Sequence, residues 1–89
     1  GTPIVAADSG TVIYSGWMGG YGYAVMIDHG GGLVSLYGHN QELAVSEGQY
    51  VNKGQVISYA GSTGWATGPH CHFEVSIHGE VTEPLDYLP

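Results

Sequence analysis

Positive charge is nearly absent from this chain. Lys53 is the only lysine or arginine among 89 residues, and the formal net charge at pH 7 is −7. Proteins that bind nucleic acid or anionic lipid rely on lysine and arginine to neutralise phosphates. The composition therefore argues against both kinds of partner, and an acidic surface of this kind serves solubility by default.

Cysteine and long apolar segments are also scarce. Cys71 is the only cysteine, so the chain forms no internal disulfide. No apolar run approaches the length of a transmembrane helix, so we expect no membrane insertion by this segment. No segment shows the sustained 3.6-residue apolar period of an amphipathic helix. These absences favour a small domain built from strands.

Glycine and tyrosine, in contrast, are abundant, with 16 and 7 residues. Such a composition is typical of all-β domains with many tight turns. We predict one all-β domain over residues 1–89, a compact antiparallel β-sandwich or barrel of about six or seven short strands with glycine-rich loops. Glycines 30–32 predict a hairpin turn, and the Gly-Gln pairs at residues 48–49 and 54–55 each predict a tight turn that opens a short strand.

Residues 61–77 combine a glycine-rich loop with an alternating strand. The alternation places His70, His72 and Glu74 on one face and apolar residues on the other. The two imidazoles are then roughly 6.5–7 Å apart along the strand, so one metal ion or scissile bond lies within reach of both. A third imidazole, His39, ends another strand pattern that begins at Leu33.

Four segments, taken in order, resemble the lysostaphin/LytM-type zinc endopeptidases, which cut peptide bonds in bacterial peptidoglycan. They are an entry strand at residues 1–12, a Tyr-X-His strand at 28–39, the doubled Gly-Gln segment at 45–57, and Gly-X-Thr-Gly…Gly-Pro-His-X-His-Phe-Glu-Val at 61–75. The last segment is highly specific. The Gly-Gln segment also occurs in biotinyl/lipoyl-type β folds and is weak by itself.

The resemblance implies a role for each imidazole. His72 resembles a ligand of one Zn²⁺ ion, His70 the catalytic histidine beside the metal-bound water, and His39 the second catalytic histidine. Zinc lowers the pKa of its bound water towards about 7, and a nearby imidazole can take the proton. The implied substrate is peptidoglycan peptide, and the implied location is the bacterial cell envelope or the extracellular space.

We also predict three substrate-binding residues. By alternation, Tyr37 lies on the face of His39, while Trp65 and Thr67 lie in the glycine-rich loop. Trp17 and Tyr21 lie in a predicted loop, where aromatic side chains serve either as walls of a binding groove or as loop packing.

Two further side chains have competing interpretations. Glu74 could ligate metal or act as a base, but the resemblance favours a hydrogen-bonded support. His29 precedes the glycines 30–32 and is interpreted as a turn residue rather than a ligand.

One expected motif is missing from these 89 residues. In the family, the two other zinc ligands come from a His-X-X-X-Asp motif upstream of the Gly-Thr-Pro stretch. We therefore expect a domain truncated on its N-terminal side, whose site is completed by an upstream segment or a partner chain. By itself the chain should hydrolyse peptidoglycan poorly or not at all.

Three functional hypotheses follow. The first is a zinc endopeptidase that hydrolyses peptidoglycan cross-links. The second is a metal-incomplete domain that binds cell-wall peptide or regulates a partner protein. The third, a biotinyl/lipoyl-like carrier, is disfavoured because Lys53 lacks the sequence context of a carrier lysine.

Overall fold

The computed structural model of the chain describes residues 1–61, 72–77 and 80–82. Within these residues the chain forms one 3-10 turn, Gly19–Tyr21, and eight strands. The strands are β1 Pro3–Val5, β2 Gly10–Trp17, β3 Tyr23–Gly30, β4 Leu33–Leu43, β5 Tyr50–Val51, β6 Val56–Ala60, β7 His72–Ile77 and β8 Glu80–Thr82. The prediction of an antiparallel all-β fold is confirmed. The described part of the chain contains no helix of the length and hydropathy needed to cross a bilayer.

The sheet is organised around β4, its longest strand. The strand order is β1-β6-β4-β3-β2-β5, with β7 also paired to β4 and β8 to β7. All of these pairings are antiparallel. β4 pairs with β7 along residues 33–38 and with β6 along residues 40–43. The sheet therefore changes partner strands at residues 38–40, and this junction positions the candidate site.

The core is formed by side chains from β2 to β6 and from the segments next to β1 and β4. Its buried members are mostly β-branched, as expected for strands packed against one another. They are Ala6, Val12, Val25, Ile27, Tyr37, Val45, Val51 and Ile57, with Phe73 packed against them. Each large apolar side chain contributes about 1.5–3 kcal/mol when fully buried.

The predicted turns are present. Gly31 and Gly32, with φ of 62° and 82°, form the β3–β4 hairpin turn. Each Gly-Gln turn is closed by its own glutamine, which accepts a backbone N–H through Oε1 while its own N–H bonds to the first residue's carbonyl. These bonds join Ser46 to Gln49 at 3.2 and 3.1 Å, and Asn52 to Gln55 at 3.1 and 3.0 Å.

Candidate functional site

His39 lies where β4 leaves β7 and joins β6. Along β3, Tyr23 is opposite Asn40 and Val25 is opposite Tyr37, so three steps of β4 span two steps of β3. β4 therefore contains one extra residue, a β-bulge, between Tyr37 and Asn40. Within the bulge His39 has a φ of 59°, and every other positive φ among the described residues belongs to glycine. Strained backbone at a non-glycine residue is a feature of functional sites.

The residue after His39 connects three strands. Asn40 is 0% exposed, and its Nδ2 donates to the carbonyl oxygens of Tyr37 at 2.8 Å and Tyr23 at 3.0 Å. Its Oδ1 accepts a hydrogen bond from the Ser58 hydroxyl at 2.8 Å. The amide thus ties together β3, β4 and β6 around the bulge.

Tyr21 covers the other side of this junction. A Cβ added to Gly38 would lie 3.3 Å from the Cβ, Cδ1 and carbonyl oxygen of Tyr21, so the tyrosine packs directly on the bulge backbone. Its hydroxyl donates to Glu74 Oε2 at 2.8 Å. This hydrogen bond raises the pKa of Tyr21, with burial and the charge of Glu74 adding to the effect. The phenol therefore remains a protonated donor at neutral pH.

Tyr37 belongs to a buried polar network. It is 2% exposed, and its Oη accepts the N–H of Ala7 at 2.9 Å and lies 2.9 Å from Ser35 Oγ. Ser35 Oγ is 2.6 Å from His29 Nε2, and His29 Nδ1 is 2.8 Å from the Ser9 carbonyl oxygen. Because a carbonyl can only accept, Nδ1 carries the proton. The network anchors β4 to β3 and to the segment between β1 and β2.

The structure locates some of the predicted site residues. His72 begins β7 opposite Gly38, so its backbone is beside the bulge that contains His39. His70, Trp65 and Thr67 lie outside the described residues. His29 was interpreted as a turn residue but lies in β3, because β3 extends to Gly30.

An exposed aromatic pair lies near the bulge on the β2–β3 side. Trp17 and Tyr23 are 54% and 41% exposed, and their rings meet edge to face with centroids 5.2 Å apart. Trp17 is the last residue of β2 rather than a loop residue. Tyr23 also lines a pocket of about 250 Å³ with Gln41, Glu42 and Leu43.

The described residues do not form a metal site by themselves. They include no group of three or more histidine, cysteine, aspartate or glutamate side chains placed to hold a metal ion. A catalytic zinc needs three protein ligands and an open position. The donors in the described ranges do not fit that requirement, so any zinc ion needs ligands from other residues.

Comparison with known proteins identifies the family. The model of "Peptidase family M23" matches residues 1–84. The chain belongs to peptidase family M23. This membership confirms the resemblance to lysostaphin/LytM-type domains, and solved structures that include the catalytic domain of lysostaphin share the fold.

Three curated bacterial proteins are similar to this chain. The chain is 48% identical over 90 residues to a lipoprotein NlpD/LppB homolog of Pseudomonas aeruginosa, covering 100% of the chain and 30% of that protein. It is 45% identical over 85 residues to the DD-carboxypeptidase/endopeptidase Mpg of Neisseria meningitidis, covering 96% and 20%. It is 41% identical over 88 residues to the murein hydrolase activator EnvC of Escherichia coli, covering 99% and 21%. The chain thus spans less than a third of each of these relatives.

Two solved structures agree with the fold. The catalytic domain of lysostaphin from Staphylococcus simulans matches with a TM-score of 0.91 and 32% identity, over 98% of this chain and 70% of that one. A zinc-containing peptidase from Vibrio cholerae matches with a TM-score of 0.88 and 35% identity, over 92% and 25%.

Sequence reasoning did not identify Asn40 or the contact between Tyr21 and Glu74. Asn40 follows His39, the last residue of the alternating pattern that begins at Leu33, and its polar neighbours predict the start of a loop. Two of its three bonding partners, Tyr23 and Ser58, lie 17 and 18 residues away in the chain, so no local pattern reveals them. The one available signal is a glycine, Gly38, directly before a histidine, which indicates close approach of another group to the backbone.

Proposed function

We propose that this chain is part of a zinc-dependent endopeptidase that hydrolyses peptide cross-links of bacterial peptidoglycan in the cell envelope. The observation that carries the proposal is His39, a nearly buried imidazole kept at a left-handed backbone position beside the first residue of β7. Membership of an M23 peptidase family and the similarity to Mpg support it.

The proposed chemistry assigns acid–base roles to two histidines. An imidazole can both accept and donate a proton, so His39 is assigned to accept a proton from an attacking water or to return one to a leaving amine. His39 is only 8% exposed, which keeps bulk water from the ring and strengthens its interaction with charge that develops nearby. We assign the partner role to His70, and His72 is our proposed zinc ligand, with the remaining ligands outside the described residues.

The substrate contacts are proposed at two levels. Trp65 and Thr67 are proposed to touch the peptide directly. The hydroxyl of Tyr37 is already bonded to Ala7 and Ser35, so its burial favours an indirect role in which it holds β4 in place. The exposed ring of Trp17 is available as a rim of the groove.

A second candidate is a non-catalytic domain that binds cell-wall peptide or regulates a partner hydrolase. The observation that favours it is the 41% identity to EnvC, whose name describes a murein hydrolase activator.

The deciding experiment measures release of soluble peptide from purified peptidoglycan by the full-length protein, with and without a zinc chelator. For the endopeptidase, His39→Ala should lower the rate by at least about 100-fold, because acid–base catalysis contributes about that much. The matched control, His29→Ala, removes an imidazole from the network of Tyr37 and should lower stability more than kcat. Binding to peptidoglycan without cleavage by the wild-type protein would favour the second candidate.

A further inference from the structure

We propose that Asn40 is a positioning residue whose buried amide holds His39 in its left-handed backbone conformation and thereby sets the direction of the imidazole. The value of that direction rests on the proposed function. The brace itself follows from the contacts, and the two claims can be tested separately.

The backbone of His39 is in a strained conformation. An L-residue with a φ of 59° brings its Cβ close to a carbonyl oxygen, and glycine avoids this contact. Within the described residues, all other positive φ values belong to glycine. The chain therefore retains an imidazole at a position where glycine would be less strained, and some other interaction must stabilise the bulge.

The side-chain amide of Asn40 spans the bulge. Tyr37 immediately precedes the bulge on β4, and Tyr23 lies opposite its far end on β3. A bulge interrupts the regular ladder, so an additional hydrogen-bond donor beside it can fix the local geometry. The two hydrogens of Asn40 Nδ2 reach the carbonyls of both residues, at 2.8 and 3.0 Å. One side-chain group thus fixes the separation across the bulge.

The hydrogen bonds at residue 40 require an asparagine side chain. Ser58 donates to Oδ1 at 2.8 Å, which orients the amide so that its nitrogen faces the two carbonyls. Aspartate would place an acceptor against two acceptors, and alanine would leave both carbonyls without this donor. A short side chain with two donors and one acceptor is needed, and only asparagine supplies it at this length.

A double-mutant cycle tests the brace in the full chain. Asn40→Ala should raise the unfolding equilibrium constant on the order of tenfold to a hundredfold, because the carbonyls of Tyr37 and Tyr23 lose this donor. In a His39→Gly background there is no left-handed strain to release when the brace is lost, so the same change should have an effect roughly fivefold larger than in the wild type. His39→Ala is the matched control background: it removes the ring but keeps the strain, and the effect of Asn40→Ala should return to its wild-type size.

Equal effects of Asn40→Ala in the glycine and alanine backgrounds would overturn the brace. If Asn40→Ala alone fails to fold, the milder Asn40→Ser replaces it in the same cycle. Equal effects of Asn40→Ser in the two backgrounds would again overturn the brace.

The positioning role has its own readouts. Asn40→Ala should lower kcat on peptidoglycan fragments by about 10- to 100-fold, with KM within about twofold, since a misplaced catalytic group costs rate more than binding. The NMR shifts of the His39 ring should move in this variant. Ser15→Ala, which removes a hydroxyl bonded to the Val45 carbonyl and leaves every contact of Asn40 in place, should change kcat by less than about threefold.

These results separate the two claims. If the wild-type protein does not hydrolyse peptidoglycan, the proposed function fails, while the cycle and the NMR shifts still test the brace. Coupling in the cycle with an unchanged kcat in an active enzyme would overturn the positioning role.

Discussion

Among the regions of this chain that enter the left-handed part of backbone space, the doubled Gly-Gln segment and the bulge in β4 do so in opposite ways. In the doubled Gly-Gln segment the residues are Gly48 and Gly54, with φ of 90° and 83°. A Cβ at either position would meet no atom within 4 Å. Each turn is exposed and is closed by the glutamine of the same turn.

The bulge in β4 differs on each of these counts. The residue with positive φ is His39, it is almost fully buried, and the residue after it bonds to three strands. Tyr21 packs on its other side against Gly38. Where the backbone shape alone is needed, the chain uses glycine and local bonds. Where a reactive side chain is kept at a strained position, distant residues hold it, which is the pattern expected of a functional site.

The largest expected effect sharpens this contrast between distant and local support. Gly61 donates its N–H to the His39 carbonyl at 3.1 Å, and a Cβ on it would lie 2.4 Å from Gln41 Cβ and 2.7 Å from Gln41 N. Gly61→Ala should therefore lower the free energy of unfolding by about 2–4 kcal/mol, because β4 or β6 must shift. Gly48→Ala, which meets no neighbour, should cost only the backbone term of about 1–2 kcal/mol. Urea denaturation measures both, and equal losses would show that the bulge region yields as easily as an exposed turn.

A second prediction measures the strain at the bulge. His39→Gly and His39→Ala both remove the ring, so lost side-chain contacts cancel between them. At a φ of 59° the glycine variant should be more stable by about 1 kcal/mol, the left-handed penalty less the extra entropy of glycine. At a regular strand position the order reverses, because glycine weakens a strand. Thermal unfolding of the two variants gives the sign, and a more stable alanine variant would mean that the bulge is unstrained.

The same contrast explains which structural features could be predicted from the sequence. The hairpin at Gly31 and Gly32 and both Gly-Gln turns are local signals, and the structure confirms them. The all-β fold and the family follow from composition and from motifs in a fixed order. The bulge could not be predicted, because alternation assumes a regular strand, and one extra residue changes which side chains share a face.

The position of Tyr37 is affected in the same way. Alternation puts it on the face of His39, yet it is buried against Phe73, with ring centroids 5.1 Å apart. β4 also continues to Leu43, beyond the point where the pattern becomes polar, because residues 40–43 pair with β6. These are contacts between distant segments, and no local pattern encodes them.

The smallest expected effect concerns the second support of the bulge, the hydroxyl of Tyr21. Tyr21→Phe keeps the ring against Gly38 and removes the bond to Glu74, so at neutral pH it should cost about 0.5–1.5 kcal/mol. The fold raises the pKa of Tyr21 above its unfolded value of about 10. The stabilisation is then fully present below pH of about 10 and is lost as pH rises through the folded-state pKa.

Denaturant unfolding of the wild-type protein and of the Tyr21→Phe variant, from neutral pH to above the folded-state pKa of Tyr21, checks the prediction. The stability difference between wild type and Tyr21→Phe should shrink as Tyr21 ionises, because the ionised oxygen no longer donates to Glu74. Tyr50→Phe, which removes an exposed phenol, is the matched control and should show no such difference at neutral pH. A gap between wild type and Tyr21→Phe that stays constant above pH of about 10 would mean that Glu74 does not hold the phenol. Of the two supports, the amide of Asn40 and the hydroxyl of Tyr21, only Asn40 would then stabilise the bulge.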